Sequence, residues 1–124
     1  YTDREAVLYR DRLAGQYEAV PLPQVPAGAA RLTIADTNQD STFDLAYQSA
    51  AGGLHHLLNQ RGVWKEQTVT AKDAQPLFCD FTNRGSMELC KMNGLIAVAD
   101  FDGDGRQDAV TSGPEGLILQ TNVT

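Results

Sequence analysis

The residues best suited to chemistry are acidic and lie in a short loop that also contains glycine. From Asp100 to Asp108, carboxylates occupy the first, third, fifth and ninth positions, and glycine occupies the fourth and sixth. Alternate residues of a tightly curled loop turn their oxygens inward, and glycine permits the left-handed backbone that curling requires. The seventh residue can add its carbonyl. The pattern predicts a cage of oxygen ligands from Asp100, Asp102, Asp104, Arg106 (through its carbonyl) and Asp108.

A second loop repeats the oxygen positions without the glycines. It runs from Asp36 to Asp44, and each copy follows a short apolar run. Because no glycine eases its curling, we expect this loop to bind a cation more weakly. Its predicted ligands are Asp36, Asn38, Asp40, Thr42 (through its carbonyl) and Asp44.

Cages of this composition favour Ca²⁺ over other cations. Calcium takes about six to eight oxygen ligands in flexible geometry, whereas Mg²⁺ requires an octahedron and retains its waters. Zinc and copper prefer His or Cys. An EF-hand would need a bidentate Glu at the twelfth loop position and flanking helices. That position holds Thr111 in one loop and Tyr47 in the other, each in a strand-like segment, so the EF-hand interpretation fails.

A degenerate third copy begins at Asp80. It has Glu88 at the ninth position but Arg84 at the fifth. A guanidinium there can neutralise the two acids itself, so we expect an ion-paired loop that holds no metal.

The charge distribution excludes several classes of function. The net charge is −6, and the windows 36–44 and 100–108 carry all of it, with seven acids and one base. The rest of the chain balances nine acids with nine bases, which leaves no basic stripe for nucleic acid. No apolar stretch is long enough to span a membrane, so we expect no membrane insertion.

The elements that position these loops are predicted to be short strands separated by Gly, Pro, Asn and Asp clusters. A capping box at Thr2 and Glu5 would also allow a helix from Ala6 to Leu13, but the repeats described below favour a strand. The predicted strands are Ala6–Arg10, Tyr17–Val20, Ala30–Ala35, Asp44–Ser49, Leu54–Asn59, Val63–Thr70, Pro76–Asp80, Met87–Cys90, Leu95–Asp100, Asp108–Ser112 and Leu117–Thr121.

Internal repeats connect the loops to the strands around them. The segments beginning at Leu8 and Leu57 share a strand, a glycine and a Gly-x-aromatic step, and Leu117 begins a truncated copy. The order of apolar strand, acidic loop, strand, turn and strand ending in Asn resembles the FG-GAP or VCBS repeats of integrin-α-like β-propellers. The matching segments are Asp100–Val110, Asp36–Trp64 and Leu8–Val20, the last as the tail of a preceding unit.

This resemblance implies an all-β fold of antiparallel four-stranded blades with calcium in the inter-strand loops. It also implies extracellular or periplasmic proteins that act in adhesion and ligand binding. We expect one domain over residues 1–124, made of a partial blade (1–30), a blade-like unit (31–70) and an irregular unit (71–124). Propellers need at least four blades of roughly 40 to 50 residues, so this chain supplies two to three and cannot close alone.

The partners follow from that shortage of blades. We expect either self-association or further blades from a longer parent chain, because residue 1 is Tyr rather than Met and exposed strand edges favour pairing. Whether the ligand is a protein or a glycan stays undecided. No catalytic motif is present, so we predict a non-catalytic binding module; the alternative is an accessory segment of a carbohydrate-active enzyme whose catalytic residues lie elsewhere.

Six further side chains carry structural expectations. Cys79 and Cys90 could form a disulfide between adjacent strands or remain two buried thiols, and a disulfide would favour an oxidising compartment. Trp64 and Tyr17 are predicted to be equivalent core anchors. The adjacent His55 and His56 should point to opposite faces of a strand, which argues against a shared metal.

Overall fold

A computed structural model describes residues 4–22 and 24–123. This part of the chain is all-β, contains no helix and forms antiparallel sheets, none of them closed. Its strands are β1 (Ala6–Asp11), β2 (Tyr17–Leu22), β3 (Ala30–Ala35), β4 (Asp44–Gln48), β5 (Leu54–Gln60), β6 (Val63–Gln67), β7 (Ala74–Cys79), β8 (Glu88–Lys91), β9 (Leu95–Ala99), β10 (Asp108–Gly113) and β11 (Gly116–Gln120).

The strands form four sheets in chain order. Sheet I is the hairpin of β1 and β2, sheet II is the meander β3-β4-β5-β6, sheet III is the pair β7-β8, and sheet IV is the meander β9-β10-β11. Strand β7 contacts β3, β4 and β5 of sheet II and also β9 of sheet IV. Sheet III therefore lies between sheets II and IV.

Three apolar clusters fill the spaces between successive sheets. Leu22 of sheet I packs with Leu45 and Leu57 of sheet II. Ala46 of sheet II packs with Phe78 of sheet III, and Cys79 of sheet III packs with Leu95 and Ala109 of sheet IV. Alternating side chains of one strand point to opposite faces, which is how β4 and β7 each supply two clusters. The core is thus divided among the sheet interfaces.

The predicted strands are all present, with small changes at their ends. The predicted strand Val63–Thr70 ends earlier, at Gln67, because the ladder with β5 stops at the pair His56↔Gln67. Strand β7 begins earlier than predicted, at Ala74, where it pairs with Lys91 of β8. The opening segment is a strand rather than a helix, since β1 pairs with β2 over its whole length.

One core prediction is half wrong. Trp64 packs against the cluster between sheets I and II, as expected. Tyr17, its proposed equivalent, is 65% exposed. Its hairpin forms the first sheet of the stack, and no other sheet of the described chain covers the outer face of that hairpin.

Cys79 and Cys90 form a disulfide that joins β7 to β8, with their Cα atoms 5.5 Å apart. Both residues are almost completely buried.

A tight turn then leads from β8 to β9 through Gly94, whose φ is 71°. A Cβ atom at this position would lie 2.8 Å from the Ser112 carbonyl oxygen, so the close approach of β10 requires glycine here.

Candidate metal centre in the acidic loops

The three acidic loops share a left-handed backbone conformation at the same two positions. In each, the fourth and sixth residues have left-handed φ values. Glycine occupies both positions in the loop 100–108, one position in the loop 80–88 and neither in the loop 36–44, where Gln39 (60°) and Ser41 (69°) take the left-handed conformation instead. The missing glycines therefore do not change the path of the backbone, although non-glycine residues adopt this conformation at a cost.

The first aspartate of each loop organises the curl. The carboxylate of Asp100 accepts hydrogen bonds from the N–H groups of Asp104 (3.1 Å) and Gly105 (2.9 Å), the fifth and sixth loop residues. Asp36 and Asp80 accept from the fifth and sixth residues of their own loops in the same way. A carboxylate at the first position is therefore a structural requirement of the loop, besides any role as a ligand.

The ninth aspartate fastens two of the loops to their sheets. Asp108 has no exposed surface, and its two oxygens accept the N–H groups of Phe101 (2.9 Å) and Asn122 (2.8 Å). Asp44 is equally buried and accepts the N–H groups of Thr37 and Asn59. The backbone hydrogen bonds, that of Asn122 first, lower the pKa of Asp108.

The loop 100–108 brings acidic oxygens together. In residues 4–22 and 24–123, Asp100, Asp102 and Asp108 form the one group of three acidic, His or Cys side chains whose ligand atoms lie within 4.8 Å of one another. Desolvation and then the charges of Asp104, Asp108 and Asp100 raise the pKa of Asp102. Carboxylates held this close repel each other, and a bound cation would relieve that repulsion.

The fifth residue of this loop has a different partner. The carboxylate of Asp104 forms an ion pair with the guanidinium of Arg106 and also accepts the Arg106 N–H at 2.8 Å. Arg106 donates from Nε to the carbonyl oxygen of Asn122 at 3.0 Å. The structure therefore places Asp104 beside the cluster of three, with its charge already matched by a neighbouring base.

The loop 36–44 is organised around its own hydrogen bonds. Asp40 accepts hydrogen bonds from the hydroxyl and N–H of Thr42 and from the amide of Asn38. These bonds, that of the Thr42 hydroxyl first, lower the pKa of Asp40. Its acids do not form a second group as close as that of Asp100, Asp102 and Asp108 in the described chain.

The expected ion pairs in the loop 80–88 are absent. Within the described ranges, the Arg84 guanidinium pairs with neither Asp80 nor Glu88. Asp80 instead accepts the backbone N–H groups of Arg84 (2.9 Å) and Gly85 (2.7 Å), and these bonds lower its pKa. The prediction failed because the first loop residue turns its carboxylate toward the backbone and away from the fifth side chain.

The three loops lie next to one another along one side of the stack. Gln39 donates to the carbonyl oxygen of Gly85 at 3.3 Å, which joins the first loop to the second. Gln107 accepts the Asp80 N–H at 2.6 Å, and Asn122 donates to the Phe81 carbonyl at 2.8 Å. These amide side chains were not singled out from the sequence. The one available signal was the Asn near the end of the third strand of sheets II and IV, Asn59 and Asn122.

The two histidines have structural contacts on opposite sides of β5, as predicted. His55 stacks on Tyr47 with ring centroids 4.9 Å apart and bonds to Glu66 at 2.7 Å. His56 lies against Phe78 of sheet III, and its Nε2 is 3.3 Å from the Thr37 hydroxyl. Burial lowers the pKa of His56, which favours the neutral ring.

Comparisons with known proteins identify no relative: no family model, curated protein or solved structure matches the chain. Within the described residues no helix is long and apolar enough to cross a membrane.

Proposed function

We propose that this chain is a non-catalytic, calcium-stabilised β-repeat module of the propeller type that serves in protein or glycan binding. The observation that carries the proposal is the convergence of Asp100, Asp102 and Asp108 within 4.8 Å. Carboxylates are hard oxygen donors, the class that Ca²⁺ selects. A bound cation would neutralise the cluster and stabilise the folded state, in which the ligands are assembled.

The possible ligand atoms of this loop are oxygens, the type that calcium prefers. Asp100, Asp102 and Asp108 would hold the ion, and the Asp104 carboxylate and Arg106 carbonyl are the further oxygens in the same loop. The corresponding weaker ligands are those of the loop 36–44, whose backbone follows the same left-handed path. Calcium would act structurally here, by holding together strands that join at the loop.

The propeller-type arrangement is supported by the order of the sheets. Successive antiparallel sheets pack face to face, and an acidic loop joins the first two strands of sheets II, III and IV. Large apolar side chains remain exposed on the sheets at the two ends of the stack, including Tyr9 (66%) and Leu117 (72%). Further blades or a second copy of the chain would cover such surfaces.

An oxidising compartment is part of the same proposal. A disulfide within a sheet persists in secreted or periplasmic proteins and is rare in the cytosol. Extracellular calcium concentrations also suit modules that bind at about 10⁻⁴ to 10⁻³ M.

The test is a calorimetric titration of calcium into the wild type, Asp102→Asn and Arg84→Ala. Asp102→Asn removes one charge from the cluster, so we expect its calcium affinity to fall by about tenfold or more. Arg84→Ala alters the neighbouring loop and should leave the affinity unchanged. Equal affinities for the three proteins would refute the assignment of the site.

A further inference from the structure

In sheet III the strand that follows the acidic loop has an uncovered edge, whereas the equivalent strands of sheets II and IV are paired on both sides. Strands β4, β8 and β10 occupy the same place, directly after an acidic loop. The second edge of β4 is paired with β5, and that of β10 is paired with β11. Strand β8 pairs only with β7, so in the described chain its other edge offers unpaired backbone groups.

A groove lies where the third strand of sheet III would be. It has a volume of about 480 Å³. One wall is formed by β8, including Leu89 and Lys91, and the other by sheet II, including His56 and Leu58. The segment 67–71, which leaves β6 and leads to β7, forms another part of the wall. The groove exists because sheet II has two more strands than sheet III.

The residues of β8 indicate what the groove would accept. Leu89 corresponds to Leu45 in β4 and packs in the cluster between sheets II and III. Lys91 corresponds to Tyr47 of β4 and Thr111 of β10, which are both buried, yet Lys91 is exposed. Alternation along the strand places Leu89 and Lys91 on the same face. Lys91 forms no ion pair with any described residue.

We propose that this groove binds an extended peptide of another protein, which adds to sheet III as an antiparallel third strand along β8. The pairing of β4 with β5 supplies the register: Leu45 faces Leu57, and Tyr47 faces His55. The same register on β8 places an apolar residue opposite Leu89 and an acidic residue opposite Lys91. The peptide therefore carries Asp or Glu two positions before an apolar residue.

A second copy of this chain is a less suitable occupant. Glu18–Val20 of β2 has the same acidic-x-apolar pattern. However, Glu18 already forms an ion pair with Arg12. A free extended peptide has no such competing interaction. Main-chain pairing supplies affinity in such complexes, and the side chains supply specificity.

The inference deepens the binding role proposed above, and in that respect it rests on the proposed function, but it does not require calcium. The probe is the fluorescein-labelled peptide TVDVLTN, titrated with the full chain and followed by fluorescence anisotropy. We expect saturable binding. Two control peptides should bind at least about tenfold more weakly. TVVDLTN moves the acid by one position, and TVKVLTN reverses its charge.

The decisive measurement is peptide binding to protein variants in which a charge is reversed. Lys91→Glu should lose affinity for TVDVLTN and gain affinity for TVKVLTN, whereas Lys72→Glu, the same change at a residue outside the groove, should alter neither. Circular dichroism establishes that both variants are folded. Unchanged preference in Lys91→Glu would overturn the proposal. So would a dimer, detected by sedimentation velocity, that Lys91→Glu dissociates while no peptide binds.

Titrations in calcium and in chelator separate the two proposals. Peptide binding in both buffers without any calcium response supports the groove and contradicts the calcium site. A calcium response with no binding of any peptide contradicts the groove and leaves the calcium site standing.

Discussion

Asp44 and Asp108 are completely buried carboxylates that accept the N–H groups of the second loop residue and of an asparagine at or just beyond the end of the third strand of the sheet. A buried charge is tolerated when hydrogen bonds satisfy its oxygens. Each therefore fixes an acidic loop to the third strand of its own sheet or to the residues just after that strand. In this position the aspartate has a structural function whether or not a cation is bound.

Asp44→Asn tests this function without a change of size. An amide cannot accept both the Asn59 N–H and the Thr37 N–H, so one buried donor meets an NH₂ group. We expect the free energy of unfolding to fall by about 2 kcal/mol, measured by denaturant unfolding in chelator. Asp73→Asn, in an exposed turn, should leave it unchanged. An unaltered free energy of unfolding in Asp44→Asn would disprove the structural function.

Sequence spacing could place Asp100, Asp102 and Asp108 close together, because their spacing follows from the curl of the backbone. It could not identify the bonds of Gln39, Gln107 and Asn122 between loops, which depend on how sheets pack. It also misjudged Arg84, because the orientation of Asp80 is set by local backbone N–H groups.

The strands were predictable because turn residues separate them clearly. The pairing of these strands into sheets was less predictable. The irregular spacing of the acidic loops gave no indication that β7 and β8 form a sheet of their own, with sheet IV beginning directly after Gly94. Local sequence determines strands, whereas the number of strands in a sheet depends on contacts between distant segments.

The disulfide joins β7 to β8, the two strands of sheet III. Replacing Cys79 and Cys90 together by Ala should lower the free energy of unfolding by about 2 to 3 kcal/mol, as expected for cross-linking a loop of this length. The measurement is denaturant unfolding with and without dithiothreitol. The reductant should destabilise the wild type and have no effect on the double variant. Equal stability of the two oxidised proteins would contradict the prediction.

Across the whole molecule, charge is unevenly distributed. The windows 36–44 and 100–108 carry the entire net charge of −6. Without calcium, raising NaCl from about 20 to about 500 mM should therefore raise the melting temperature, because salt screens repulsion among exposed carboxylates. With calcium bound the gain should be smaller. A gain that is the same in both buffers would show that the repulsion lies elsewhere.

The stacking of the sheets explains how calcium in one loop could stabilise more than one sheet. Each interface between sheets II, III and IV lies beside hydrogen-bonded acidic loops, so an ion in one loop would stabilise strands of more than one sheet. Antiparallel sheets of strands consecutive in the chain were expected from the repeats, while the two-stranded sheet III was not.

The most direct test of calcium stabilisation is a thermal melt of the chain in about 1 mM Ca²⁺ and again in chelator, with Mg²⁺ as the comparison. We expect calcium to raise the melting temperature clearly and Mg²⁺ to raise it less. Identical melting temperatures in calcium and in chelator would show that calcium does not stabilise the fold and would leave the acidic loops as hydrogen-bonded turns.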